Sequence, residues 1–219
     1  MALMRVSIRR KTVSGRTIIE GLEFEVAQGE VVALVGPSGC GKTTTLRIVA
    51  GLDTAFDGQV GWTDGRKRRL GTVFQEPRLL PWRTVRQNLA LVRPDPAHAN
   101  ALLEELGLTQ AADQYPAALS LGMARRAALA RAFAVEPDLL LLDEPFVSLD
   151  PAAAATARQL LVTTWAARPC AALLVTHDRE EAAGLADRIL VLSAPGCRVT
   201  QMIEIPPAAR RGAYFSVAR

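Results

Sequence analysis

Val31-Val-Ala-Leu-Val35-Gly36-Pro37-Ser38-Gly39-Cys40-Gly41-Lys42-Thr43-Thr44-Thr-Leu-Arg-Ile-Val49 is the stretch that decides the fold. Five consecutive apolar residues read as a strand buried on both faces, the glycine-spaced segment as a loop, and the remainder as the start of a helix. Gly36 to Thr43 satisfies GxxxxGK[ST], and it stands after a buried strand and opens a helix, as a phosphate cradle must. Glycines let backbone N–H groups wrap an anion where a side chain would clash or forbid the required φ. Lys42 adds a point charge toward the β and γ phosphates, Thr43 offers a hydroxyl to Mg²⁺, and the helix dipole favours the same anion. Cys40 lies beside Lys42 and a helix N-terminus, surroundings that lower a thiol pKa. It reads either as a modifiable thiol or as a small residue that fits.

Outward from this loop, the first thirty residues alternate apolar and polar positions (Ile19, Leu22, Phe24, Val26) and read as hairpin-like strands ending at Gln28-Gly29. Three further apolar runs read as buried strands: Leu139 to Leu142 running into Asp143-Glu144, Leu173 to Val175 running into Thr176-His177, and Ile189 to Leu192. Buried strands alternating with helical stretches imply a parallel sheet covered on both faces, with chemistry at the carboxyl ends of its strands. Paired acids on a buried edge need a cation, so Asp143 is assigned to Mg²⁺ and Glu144 to polarising a water for in-line attack on a γ phosphate. Gln75, after Gly71-Thr-Val-Phe74, also follows a strand and offers its amide to the metal or its water. His177 earns a functional reading by its position, where a neutral imidazole donates to the γ phosphate. His98, in the polar stretch PDPAHANA, reads as an ordinary structural residue. Pro77 to Ala134 is helical in pattern, with Pro94 and Pro96 as breakers, and reads as an inserted helical subdomain. The densest charge run, DGRKRR at 64 to 69, reads as a solvated hairpin turn.

Composition narrows the class further. The 219 residues are 49% hydrophobic and 22% charged, with 16 Gly and 13 Pro, which excludes disorder, collagen and coiled coil. A chain of this length is expected to form one compact domain burying ~70% of its unfolded surface. A net charge of +4 is a mild excess and points to no nucleic-acid partner. Cys40, Cys170 and Cys197 are far apart in sequence with no CxxC pair, which argues against disulfides and structural zinc. MALMRVSIRRK lacks the apolar stretch of a signal peptide, and no uncharged run approaches the ~20 residues that span a bilayer. The expected location is the cytosol, with docking on a membrane protein.

GPSGCGKTT at 36 to 44, Gln75 in VFQEP, LSLGM at 119 to 123, LLLLDEP at 139 to 145, SLD at 148 to 150 and THD at 176 to 178 occur in the order found in the ATP-binding subunits of ABC transporters. The resemblance covers nearly the whole chain. It implies an α/β P-loop NTPase fold, an ABC ATPase domain with a mainly parallel sheet, an N-terminal antiparallel β subdomain and an inserted helical subdomain. The implied boundaries are 1–76 and 135–205 for the nucleotide-binding core, 77–134 for the helical subdomain carrying the signature, and 206–219 for a tail. The cofactors implied are ATP and Mg²⁺. Gly36, Pro37, Ser38, Gly39, Cys40, Gly41, Lys42, Thr43 and Thr44 would hold the nucleotide, with Ser120 and Gly122 of the signature serving the partner's. Thr43, Gln75 and Asp143 would hold the metal, and Glu144, His177, Lys42 and Gln75 would act in catalysis.

The family's working form is a head-to-tail dimer of nucleotide-binding subunits on transmembrane permease subunits, at the cytoplasmic face of the membrane. Asp150 would lie at the dimer contact, and Leu79, Leu80, Pro81 and Trp82 would meet the permease. VFQEPRLLPWRTVRQNLAL, the Met closing the signature, DEPF and LSAPGCRV are similar to importers of the nitrate, sulfonate and taurine type, which take solute from a periplasmic or surface binding protein. This chain would then never touch its solute. Two departures stand out. Leu121 occupies a family glycine, which adds bulk and, at positive φ, strain of ~1–2 kcal/mol, and the region Lys11 to Gly15 lacks an adenine-stacking aromatic. Both support an alternative, a catalytically weakened regulatory subunit. An ABC ATPase acting on nucleic acid would want a tandem pair, a coiled coil or a strongly basic face, and a GTPase would want NKxD; the sequence has none of these.

Overall fold

The computed structural model describes residues 1–206. The chain runs β1 (Ala2–Val13), β2 (Arg16–Ala27), β3 (Val31–Val35), α1 (Lys42–Val49), β4 (Asp57–Trp62), β5 (Leu70–Val73), α2 (Val85–Ala90) and α3 (Pro96–Glu105). It continues through α4 (Leu121–Ala134), β6 (Leu139–Asp143), α5 (Pro151–Ala167), β7 (Ala171–Thr176), α6 (Arg179–Leu185), β8 (Arg188–Leu192) and β9 (Val199–Glu204). The tail predicted at 206–219 falls, from residue 207 on, outside the described residues. The residues pack as two compact units. One comprises Met1–Arg68, Leu141–Glu144 and the described residues from Cys170 onward, the other Arg69–Leu140 and Pro145–Pro169.

In the first unit, β1 and β2 pair antiparallel across a turn whose Ser14 and Gly15 both have positive φ, the geometry that matches the twist of a two-residue hairpin. β4 adds antiparallel to the other side of β1, giving the order β2-β1-β4. β1 and β4 come so close at Gly58 that a Cβ there would lie 2.2 Å from the Ser7 carbonyl. The second sheet of this unit runs β6-β7-β3-β8-β9, with β3 parallel to β7 and β8, and β9 closing the edge antiparallel. Every residue of β3 and β7 is buried, which is why these strands read as unbroken apolar runs rather than alternating ones. The fold is the mainly parallel α/β sheet with an N-terminal antiparallel sheet that the sequence predicts. The 64–69 charge run, by contrast, is not a hairpin turn, because β4 and β5 belong to different sheets. It is a connector held by Asp64, which accepts from the Arg66 N–H and the Arg68 guanidinium.

In the second unit, helices α2 to α5 enclose a core of Leu102, Leu103, Leu106, Leu108, Leu129 and Phe133. Each of these four helices starts on a side chain that accepts a backbone N–H: Thr84 in a capping box with Gln87, Asp95, Ser120 and Asp150. Pro96 and Pro151 follow their caps, where a missing N–H is harmless. Pro96 therefore opens α3 instead of breaking a helix. β5 lies against α4 so tightly that a Cβ on Gly71 would sit 2.5 Å from the Ala132 carbonyl. Among the described residues no helix is long and apolar enough to cross a membrane.

Candidate functional site

The ends of β3, β6 and β7 meet in the first unit. β3 turns into the phosphate loop, where Gly39 has φ 76° and Gly41 has φ 116°, angles that a side-chain-bearing residue would adopt only under strain. A Cβ on Gly36 would lie 2.8 Å from the Leu192 carbonyl, so only glycine lets the loop lie against β8. Gly41 caps α1 without any side-chain hydrogen bond, leaving the first backbone N–H groups of the helix without a side-chain acceptor. Lys42 is only 6% exposed, and its Nζ donates to the Gly36 carbonyl at 2.7 Å and the Pro37 carbonyl at 3.0 Å. The cation thus sits inside the curl of the loop.

The acids come from β6. Asp143, 2% exposed, accepts from the Thr43 hydroxyl at 3.1 Å, which joins the first turn of α1 to the end of β6. Glu144 has φ 47°, an unusual angle for a residue with a side chain, and its N–H donates to the Val175 carbonyl at 2.8 Å, fixing the turn against β7. Its carboxylate oxygen lies 2.9 Å from His177 Nδ1, just past the end of β7. Asp143 and Thr43 offer hard oxygen ligands, the donor type that Mg²⁺ takes. The glycine cradle, the uncapped α1 amides and buried Lys42 suit a polyphosphate. The residues present therefore fit both groups.

The remaining candidates lie in the second unit. Gln75 follows β5 and is exposed. The segment after it is pinned at both ends. Arg131 of α4 donates to the Arg78 and Pro77 carbonyls at 2.7 and 3.0 Å, and Asn88, fully buried, exchanges hydrogen bonds with Leu80 and donates to the carbonyls of Arg83 and Thr84. Between these clamps Trp82 projects 68% exposed. Ser120 caps α4 through Met123 N–H, and Ser120, Leu121 and Gly122 line one groove with Ser148 and Asp150. His98 sits on α3 and takes no part in either constellation.

Leu121 opens α4 with backbone that is not at positive φ, so the strain expected of a side chain at that position does not arise. The side chain is 44% exposed and takes part in ordinary helix initiation. Leu121→Gly is accordingly expected to give no rise in ATPase of the assembled complex, because glycine costs a helix up to ~1 kcal/mol and relieves nothing. A clear rise would show that the leucine hinders.

Sequence reasoning missed three contributors. Arg131 and Asn88 hold the segment after Gln75 by bonds to backbone carbonyls, which leave no motif. Cys197, 157 residues from Cys40, lies fully buried behind the phosphate loop, its Sγ 3.2 Å from where a Cβ on Gly41 would stand. Interaction with the Cys197 thiol, aided by Lys42 and opposed by burial, pulls the Cys40 pKa down to about 6, while Cys197 is pushed up by Cys40 and by burial. Cys40 therefore faces the interior behind the loop.

Comparison with known proteins agrees with this geometry. Residues 19–147 match the ABC transporter family. The chain is 44% identical over 229 residues to an aliphatic sulfonates import ATP-binding protein, SsuB 2, of Burkholderia lata, covering 99% of this chain and 84% of that protein. It is 48% identical over 192 residues to SsuB 1 of Streptomyces avermitilis, covering 86% and 72%. Among solved structures, a dimeric post-hydrolysis state of the ATP-binding cassette MJ0796 bound to ADP and Pi superposes with a TM-score of 0.79 at 26% identity, covering 94% of this chain and 99% of that one. A family match over more than half of its length, and relatives this similar over most of theirs, mean that the chain belongs to the ABC transporter family.

Proposed function

We propose that the chain is the ATP-hydrolysing subunit of a membrane importer, that it works as a dimer on permease subunits at the cytoplasmic face, and that the imported solute is an aliphatic sulfonate or similar small organic anion. The observation that carries the catalytic reading is the convergence of buried Lys42, the Thr43–Asp143 bond and the Glu144–His177 contact at three strand ends. The names of the relatives support the transport reading, and exposed Trp82 between its two clamps supports the permease contact.

Lys42 and the loop amides bind and orient the phosphates. Thr43 and Asp143 would hold Mg²⁺, and Gln75 would reach it from the segment after β5. Bound there, the ion supplies charge neutralisation at the phosphate oxygens. Glu144 accepts the proton of the attacking water. His177 orients Glu144 through Nδ1, and a neutral ring donating from that nitrogen keeps only a lone pair at Nε2. Donation from Nε2 to a γ phosphate therefore needs either the imidazolium or the other tautomer with Glu144 turned aside. Ser120 and Gly122 would close over the nucleotide of the opposite copy. ATP favours the closed pair because its γ phosphate is contacted from both sides only there. Nothing favours the weakened-subunit alternative, since the phosphate loop and both acids are intact and Leu121 sits in unstrained helix.

Reconstitution with the permease and its solute-binding protein tests the reading. ATPase is expected to rise when the binding protein is loaded with an alkanesulfonate, and vesicles are expected to accumulate the sulfonate only with ATP. ATPase indifferent to the loaded binding protein would contradict it.

A further inference from the structure

Cys40 and Cys197 are two thiols that the mechanism does not use. Cys40 is 3% exposed and packs against Gly36, where a Cβ would lie 3.1 Å from its Sγ. Cys197 comes from the turn between β8 and β9 with φ 50°, and its Cβ and Sγ both reach within 3.2 Å of the Cβ position of Gly41. Thr45 completes the cluster, donating to the Gly41 carbonyl at 3.0 Å and lying 3.9 Å from Cys197 Sγ. Both side chains thus sit on the back of the phosphate loop, Cys40 within it and Cys197 packed against Gly41, the residue next to Cys40.

We infer that Cys40 and Cys197 form an oxidative modification site, in which a hydroperoxide converts the two thiols into a disulfide that fastens the phosphate loop to the β8–β9 turn. Cys40 sulfur attacks one peroxide oxygen and the O–O bond breaks, giving a sulfenic acid and the first water (or alcohol). Cys197 sulfur then attacks the sulfenyl sulfur and its proton leaves with the displaced hydroxide as water. The thiols lose two electrons and two protons, and the peroxide takes them up. Cys40 is the better attacking group because the Cys197 thiol and Lys42 favour its thiolate. An S–S bond of ~2.05 Å is far shorter than any non-bonded separation of two sulfurs, so the loop must be drawn toward the turn. Gly41, whose carbonyl anchors Thr45, is the residue between Cys40 and Lys42 and would shift with them. The expected consequence is loss of ATP binding while oxidised. This consequence rests on the phosphate loop being the nucleotide site; formation of the bond does not.

The test treats the full chain with hydrogen peroxide and reads two quantities separately. Peptide mapping without reduction is expected to find a Cys40–Cys197 linked peptide. Binding of a fluorescent ATP analogue is expected to fall at least ~10-fold and to return with dithiothreitol. Cys197→Ser is expected to bind ATP normally when reduced, to form no link, and to lose the dithiothreitol-reversible inhibition. Failure to link in the wild-type chain, or linking of either thiol to Cys170 instead, overturns the site. A linked protein that binds ATP as well as the reduced one overturns the proposed control. Reduced protein that binds no ATP would count against the nucleotide-site reading and leave the chemical linkage to be judged by the mapping alone.

Discussion

Glu144→Gln is expected to bind ATP with near-unchanged affinity and to hydrolyse it at least ~100-fold more slowly, since losing a general base typically costs 10²–10⁴ in rate. The geometry separates the two effects. Lys42 and Thr43 lie on the phosphate loop and α1, whereas Glu144 stands beyond the end of β6, in contact with His177. A glutamine keeps the shape, and its amide oxygen can still accept from His177, but it cannot take a proton from water. Single-turnover hydrolysis and nucleotide binding measured on the same preparation check the prediction. Turnover near the parent rate would remove Glu144 from its role.

Lys42→Ala is expected to act on the other half of the process. The side chain is buried and its ammonium donates to two loop carbonyls, so truncation removes the loop's only buried cation and leaves the Gly36 and Pro37 carbonyls without that donor. Hydrogen bonds to charged groups are worth ~1.5–3 kcal/mol, which corresponds to a ~10–150-fold loss of ATP affinity. Titration with a fluorescent ATP analogue measures this, and a thermal melt of the variant separates lost binding from lost folding. Unchanged affinity in a folded variant would mean that the phosphates bind elsewhere.

The placement of the candidate residues Asp143, Glu144 and His177 was legible because they follow buried apolar runs. Val31 to Val35, Leu139 to Leu142 and Leu173 to Val175 are covered on both faces, so the first polar residues after them fall at strand ends, and the structure joins Thr43 to Asp143 and Glu144 to His177 there. The helix starts at Ser120 and Asp150, which cap α4 and α5, were not read from the sequence although both residue types favour that position. What was not legible arises from contacts across long sequence separations. Nothing near Cys197 marks it as a neighbour of Cys40, and its spacing argued against any pairing. Arg131 holds two backbone carbonyls, which are the same in every residue. The 64–69 run misled because a charged turn between two strands looks the same whether they pair with each other or with different sheets. Leu121 misled in the opposite direction: a glycine-to-leucine change implies strain only when φ is positive, and φ is set by the helix that Ser120 starts.

If ATP draws two copies together, each presenting Ser120 and Gly122 to the nucleotide on the other's phosphate loop, pairing must depend on nucleotide. Light scattering of the Glu144→Gln chain with and without Mg-ATP, in the presence of the permease if the isolated chain is too weak to pair, measures this directly. Pairing of the ATP-binding subunits is expected with Mg-ATP, lost with Mg-ADP and abolished by adding Lys42→Ala. Subunits that remain apart at saturating Mg-ATP, or that pair equally without nucleotide, would contradict it.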